Sequence, residues 1–306
     1  MKRAHQITLK QLRALAAVAQ NRTILEASQA LGITGPAVHS QLKTLEETIG
    51  SPLITRESKT VSNVTPVGYA LLKSYEEITA SMTRAIRDIK AMESGNCGSV
   101  TLGVVSTGKY FAPEIVAQLA KEMPDVAVTL RVGNRGTILQ GIERGEYDIC
   151  IMGRPPRMPV VEAKSMAPHP HIIIARPDHL LAQKKNIDAV ELVDESFVIR
   201  EMGSGTRILT ERFFDEIAKG RELKKIEMTS NETIKQSVLS SLGIALLSAH
   251  TVANELETGR LIALDVVGVP IMRTWFVTHS TRIKPSLVSL QVRDWLLSNP
   301  HRFLPK

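Results

Sequence analysis

Residues 23–43 read TILEASQALGITGPAVHSQLK, and the spacing inside this stretch sets the architecture of the N-terminal part. Thr23 stands three residues before Glu26, the pattern of a capping box in which a Thr hydroxyl and an acidic side chain satisfy the free N–H groups of a first turn. A helix therefore starts at Ile24. Leu31-Gly32 ends it, because glycine takes the left-handed conformation of a C-terminal cap without steric cost. Only Ile33 separates that stop from Thr34, a further N-cap residue, with Pro36 tolerated in the next first turn. Two helices joined this tightly form a helix-turn-helix.

Working outward, Thr8 and Gln11 mark another capping box, and Leu9, Leu12, Leu15, Ala16 and Ala19 share the buried face of a helix over residues 9–20. In the third helix Val38, Leu42, Leu45 and Ile49 face inward, which leaves Gly35, His39, Ser40 and Lys43 outside. Small, polar and basic residues suit a DNA major groove, where side chains exchange hydrogen bonds with base edges at close range. Residues 53–64 alternate imperfectly and predict a two-stranded wing carrying Arg56 and Lys59, with Arg56 the candidate phosphate contact. Thr65-Pro66 opens a helix of about 27 residues. Along it Leu71, Tyr75, Ile78, Met82, Ala85, Ile89 and Met92 recur with a 3.5-residue period, a coiled-coil seam that predicts a homodimer. Two recognition helices in turn predict double-stranded DNA with inverted-repeat half-sites as the partner.

The 306-residue length suits two or three domains. Net charge is +7, and residues 1–93 carry 12 Lys and Arg against 8 Asp and Glu, which favours a polyanion there. Cys97 and Cys150 form no CxxC and have no His at metal-ligand spacing, so a reducing cytoplasm and no structural metal are expected. The apolar runs are too short to span a bilayer and the first residues do not read as a signal peptide; a cytoplasmic protein without a membrane partner follows.

Asn96-Cys97-Gly98-Ser99 breaks the long helix and reads as a hinge. Beyond it, strands at 100–105, 126–132, 149–152, 172–175, 197–200, 244–247 and 274–278 alternate with helices that start near Phe111, end near Arg144, start near Arg207 and run over 286–297. That order predicts an α/β domain with a parallel sheet and helices on both faces.

Gly103-Val-Val-Ser-Thr-Gly108-Lys109 has phosphate-loop spacing, but Tyr110 stands where a magnesium-binding Ser or Thr is required, which argues against an NTPase. Strand-to-helix turns nonetheless present N–H groups to anions, and Gly203-Ser204-Gly205-Thr206 is a second such turn. Lys109, Arg135, Arg154, Arg200 and Arg207 lie near strand carboxyl ends, where ligands gather; a multiply anionic ligand touching two or three of the five is expected. His169-Pro170-His171 reads as a loop rather than a metal site, and Cys150 as core. No catalytic constellation and no cofactor motif emerges, so a non-enzyme is expected. The competing reading is an enzyme or ligand-binding protein with an attached DNA-binding domain, distinguishable by turnover of a bound metabolite.

Glu26-Ala27-Ser28, Leu31-Gly32-Ile33-Thr34, Pro36-Ala37-Val38-His39-Ser40-Gln41-Leu42-Lys43, Leu45-Glu46-Glu47, Gly50, Pro52-Leu53, Arg56 and Thr65-Pro66-Val67-Gly68 together resemble the LysR-type transcriptional regulators. Thr34-Gly35 replaces the usual Ser-Gln, His39 a usual Ser and Ile54 a usual Phe, so operator details do not carry over. The resemblance implies DNA contacts from Thr34, Gly35, Pro36, Ala37, His39, Ser40, Gln41, Lys43, Arg56 and Lys59. It also implies a winged helix-turn-helix over 1–65, a dimerising linker helix over 66–94, and a two-lobed periplasmic-binding-protein-like effector domain over 95–306. Lobe I would cover about 97–167 and 270–306, and lobe II about 168–269. An effector would meet Ser106, Thr107, Lys109, Asn134, Arg135, Arg154, Arg200, Gly203, Ser204, Gly205 and Thr206 between the lobes. A homotetramer and contact with RNA polymerase are further implications. Gly133-Asn134-Arg135 and Met152-Gly153-Arg154-Pro155-Pro156 resemble the subgroup that controls Calvin-cycle carbon-fixation operons, whose members answer to phosphorylated metabolites or NADPH.

Overall fold

The computed structural model describes residues 4–56, 62–93, 97–217, 221 and 224–305. The chain divides into two compact units, Met1–Ala85 and Ile86–Lys306.

In the first unit α1 (Leu9–Asn21), α2 (Ile24–Leu31) and α3 (Gly35–Ile49) pack around Leu12, Leu15, Val18, Ala27, Val38, Leu42, Leu45 and Leu53. Thr8 and Gln11 form the full reciprocal cap. At Thr23 the hydroxyl caps Glu26 N, but the Glu26 carboxylate takes the Thr23 hydroxyl instead of a backbone N–H, so the expected box is half made. Thr34 has N-cap backbone geometry without a side-chain capping bond. Gly32 is left-handed, as the tight turn requires.

The short strands β1 (Ile54–Arg56) and β2 (Ser62–Val64) pair antiparallel as the wing. Glu46 of α3 accepts from the N–H groups of Leu53 and Ile54 and so ties the wing root to the recognition helix. The long helix α4 (Pro66–Glu93) starts where Thr65 Oγ1 accepts from Gly68 N. A Cβ on Gly68 would stand 2.3 Å from the Leu53 carbonyl oxygen, so only glycine lets α4 pass this close to the wing.

The second unit begins within α4 and continues through β3 (Gly98–Val105), α5 (Ala112–Glu122), β4 (Val126–Gly133), α6 (Arg135–Glu143), β5 (Ile149–Met152) and β6 (Val161–Ala175). Next come β7 (Ser196–Arg200), α7 (Gly205–Ile217), β8 (Lys224–Met228), α8 (Asn231–Leu239), β9 (Ala245–Ser248), α9 (Ala249–Glu257), β10 (Ile262–Ala263), β11 (Ile271–Ser280) and α10 (Leu287–Ser298). Sequence reasoning did not foresee α8, α9, β8 or β10.

The expected parallel sheet is mixed: β4, β3 and β5 run parallel, whereas β11 returns antiparallel to both β5 and β6. The 15-residue β6 carries β9 and β10 on its C-terminal part, so one sheet serves three cores. One core gathers around Phe111, Ile115, Ile151 and Trp275, and two others around Phe197 and Phe214 and around Ile234 and Leu247. The hinge is shorter than expected, because Gly98 and Ser99 already belong to β3; Asn96 lies outside the described residues.

Candidate functional site

On α3 the inward residues Val38, Leu42 and Leu45 are buried, while Thr34, Pro36, His39, Ser40 and Lys43 are exposed and Gly35, Ala37 and Gln41 half-buried. The polar face anticipated from spacing is therefore open. Lys43 lies 3.9 Å from Glu47 with both side chains largely in solvent, a pairing too weak to hold it from a phosphate. Arg56 closes β1, and Lys59 lies outside the described residues.

The seven seam residues of α4 divide. Leu71 and Tyr75 pack on the helix-turn-helix core, whereas Ile78 and Met82 in the first unit and Ile89 and Met92 in the second are exposed apolar side chains, as is Ala85. The first two thus serve their own domain. Ile86, outside the anticipated set, is exposed as well.

A cleft of about 220 Å³ in the second unit is lined by Val105 at the end of β3, Ser106 and Thr107 after it, Arg135 opening α6, Gly153 and Arg154 after β5, and Ser204, Gly205 and Thr206 opening α7. Ligand-seeking groups converge here because three parallel strands end on one side and α7 points its free N–H groups at the same space. The strands that cross between the cores add His169, His171 and Arg273, and α7 adds Ile208, Leu209 and Arg212. None of these six was expected: they sit within strands and a helix, not in glycine-rich turns.

Four guanidiniums therefore border one cleft. Arg135, Arg154, Arg212 and Arg273 have no ion-pair partner among the described residues. Burial, then the nearby charges of Arg154 and Arg273, lowers the pKa of Arg135; burial, then Arg154 and Arg212, lowers that of Arg273. Like charges held this way without carboxylates create a field that an anion relieves.

Several expected residues do not line the cleft. Lys109 stands over the Tyr110 ring. Asn134 caps α6 by accepting from Thr137 N. Gly203 takes a left-handed turn before α7. Arg207 pairs with Glu211 and Glu227. The fully buried Arg200 pairs with Glu201 and donates to Asn231 and to Ser106 Oγ, so it positions a lining hydroxyl. Of the five cations singled out in the sequence, Arg135 and Arg154 border the space.

The histidine stretch is a correction. His169 and His171 lie buried in β6, not in a loop, with His169 stacked on Trp275 at 3.8 Å between ring centroids. Trp275 in turn donates to His250 Nδ1 at 3.0 Å. Burial foremost pushes His169 well below the usual imidazole range and His171 down to about 4, so both rings are neutral near pH 7. No group of three or more His, Cys, Asp or Glu among the described residues could hold a metal. Cys150 is buried, with its thiol pKa driven up by desolvation, and Cys97 is exposed. Ser106–Tyr110 forms a short 3-10 helix, and Gly108 is needed for packing, since its Cβ would meet Val104 at 2.5 Å.

Residues 9–69 match the model for the bacterial regulatory helix-turn-helix protein, lysR family, and residues 93–299 that for the LysR substrate binding domain. The chain is 42% identical over 306 residues to the HTH-type transcriptional regulator CbbR of Cereibacter sphaeroides, covering all of this chain and 99% of that one. It is 38% identical over 281 residues to the RuBisCO operon transcriptional regulator of Acidithiobacillus ferrooxidans, covering 91% and 90% of the two. Among solved structures, the regulatory domain of Synechocystis CcmR in complex with 2-PG superposes with a TM-score of 0.62 at 33% identity, over 65% of this chain and 96% of that one. With a reading helix, a wing and a cleft-bearing α/β unit all matched along its length, the chain belongs to the LysR family of transcriptional regulators.

Proposed function

We propose that this protein controls transcription of a carbon-fixation operon in response to a small phosphorylated metabolite held by Arg135, Arg154, Arg212 and Arg273. The observation that carries the ligand class is the set of four guanidiniums without carboxylate partners around one cleft. Full-length likeness to CbbR and to a RuBisCO operon regulator supports the operon class, and the 2-PG complex of CcmR supports a phosphorylated effector.

In this reading the regions 1–65, 66–94 and 95–306 act as DNA reader, dimer helix and sensor. The exposed face of α4 pairs two chains, whose α3 helices occupy half-sites of an inverted repeat. A dimer of dimers presents two such pairs to the operator and to RNA polymerase in the cytoplasm. Effector binding draws the two lobes together and alters how the chains are spaced on DNA, which requires that it bind the two arrangements with different affinity.

A thermal-shift series on the full chain with phosphoglycolate, ribulose bisphosphate, NADPH and an uncharged sugar tests the ligand class. Stabilisation by the phosphorylated compounds and not by the sugar is expected. If every anion leaves the melting temperature unmoved, the charged-effector reading fails.

A further inference from the structure

The cleft that borders four arginines is also lined by two neutral imidazoles, whose unprotonated nitrogens accept rather than donate, and the tautomer of one of them is fixed by its surroundings. His171 lines the cleft, and its Nδ1 lies 3.2 Å from the carbonyl oxygen of His169. A carbonyl only accepts, so Nδ1 carries the proton. In the neutral ring that leaves Nε2 with a lone pair and no proton, an obligate acceptor. Nε2 has no hydrogen-bond partner among the described residues, and His171 itself is 5% exposed.

Most of the other polar groups of the site donate, although the neutral His169 ring, with both nitrogens buried and unpartnered, and the Ser204 and Thr206 hydroxyls can also accept. The four guanidiniums can only donate. Ser106 Oγ accepts from both Nη1 and Nη2 of Arg200 at 3.3 Å, so its own hydroxyl proton is left for the cleft. Phosphate and carboxylate oxygens satisfy these donors but offer nothing to an acceptor, and a buried acceptor left without a donor costs free energy. A ligand consisting only of anionic groups would therefore leave His171 unsatisfied. One that also carries a hydroxyl would complete the site.

Resting on the phosphorylated-effector reading above, we infer that His171 Nε2 accepts a hydrogen bond from a ligand hydroxyl, so that the cleft selects a phosphorylated hydroxy compound over its deoxy counterpart. His171 is thereby a specificity-determining residue. Stacking around His169 and Trp275, and the pairing of Ile271 with His171 across β11 and β6, fix the ring that bears it.

Isothermal titration of the full chain with 3-phosphoglycerate and with 3-phosphooxypropanoate, which lacks only the hydroxyl, tests the inference. Tighter binding of 3-phosphoglycerate by roughly 3- to 10-fold is expected, the range for one neutral hydrogen bond. In His171→Phe the ratio should fall to about one, while His171→Gln, whose amide oxygen can accept, should restore a preference. Equal affinities in the native protein would overturn the role of His171 while leaving the anion reading intact, and that comparison needs no variant to fold. Retention of the ratio in a folded His171→Phe protein would also overturn it. If neither compound binds, the anion reading and this inference both fall.

Discussion

At Arg273 the proposed function predicts opposite effects on stability and on binding. This residue sits on β11 opposite His169, with Arg154 and Arg212 both close enough to lower its pKa after burial has done so. Replacing it by Gln removes a like charge from the cleft and one charge-assisted donor from any anion held there. Two effects of opposite sign follow for Arg273→Gln. The ligand-free protein should melt about one to a few degrees higher. Affinity for a phosphorylated ligand should fall by roughly 10- to 100-fold, measured by titration calorimetry. A variant that loses stability and keeps affinity would show that Arg273 is packing rather than ligand machinery. Arg135 and Arg154 were legible in the sequence because each follows a strand whose end is marked by glycine or by a change of periodicity, whereas Ser106 and Thr107 came from the family resemblance. Arg212, Arg273 and His171 were legible by neither route. The first lies within a helix, and the other two on strands whose placement beside the cleft depends on the antiparallel return of β11, which no local pattern encodes.

Elements with strong local signals were read to within a residue or two. The caps at Thr8 and Thr65, the left-handed Gly32 and the inward spacing of α3 all reappear in the fold. Beside the unforeseen α8, α9, β8 and β10, the most consequential difference was β6, anticipated only over 172–175 although it starts at Val161. Pro168 and Pro170 argue against a strand because each lacks a ladder donor. They are tolerated because this part of β6 pairs with β11 on one side, while β9 and β10 join only from His171 onward.

The apolar face of α4 bears a prediction of its own. Met82 is 53% exposed, so Met82→Lys costs the single chain little, but in a paired helix it would bury an unpaired ammonium. Sedimentation should then show monomers for the variant and dimers for the native protein, with unchanged helix content by circular dichroism. Dimers of undiminished strength would place the contact elsewhere.

Across the whole molecule, a DNA-reading unit and a ligand-holding unit share one helix, α4, which is assigned partly to each. The exposed polar face of α3 was legible from residue type and spacing, and the cleft only in outline. If α3 reads DNA as proposed, Gly35 and His39 on its outer face would make the sequence it reads a property of this chain. The central claim is that a phosphorylated ligand at four arginines changes the DNA complex. Nuclease footprinting tests it most directly, on DNA selected by the protein from a random pool, with and without a saturating phosphorylated ligand, for the native chain and Arg273→Gln. The native footprint should change in length or in its pattern of enhanced cleavage when ligand is added, and the variant footprint should stay fixed at the same ligand concentration. An identical native footprint with and without bound ligand would contradict the account.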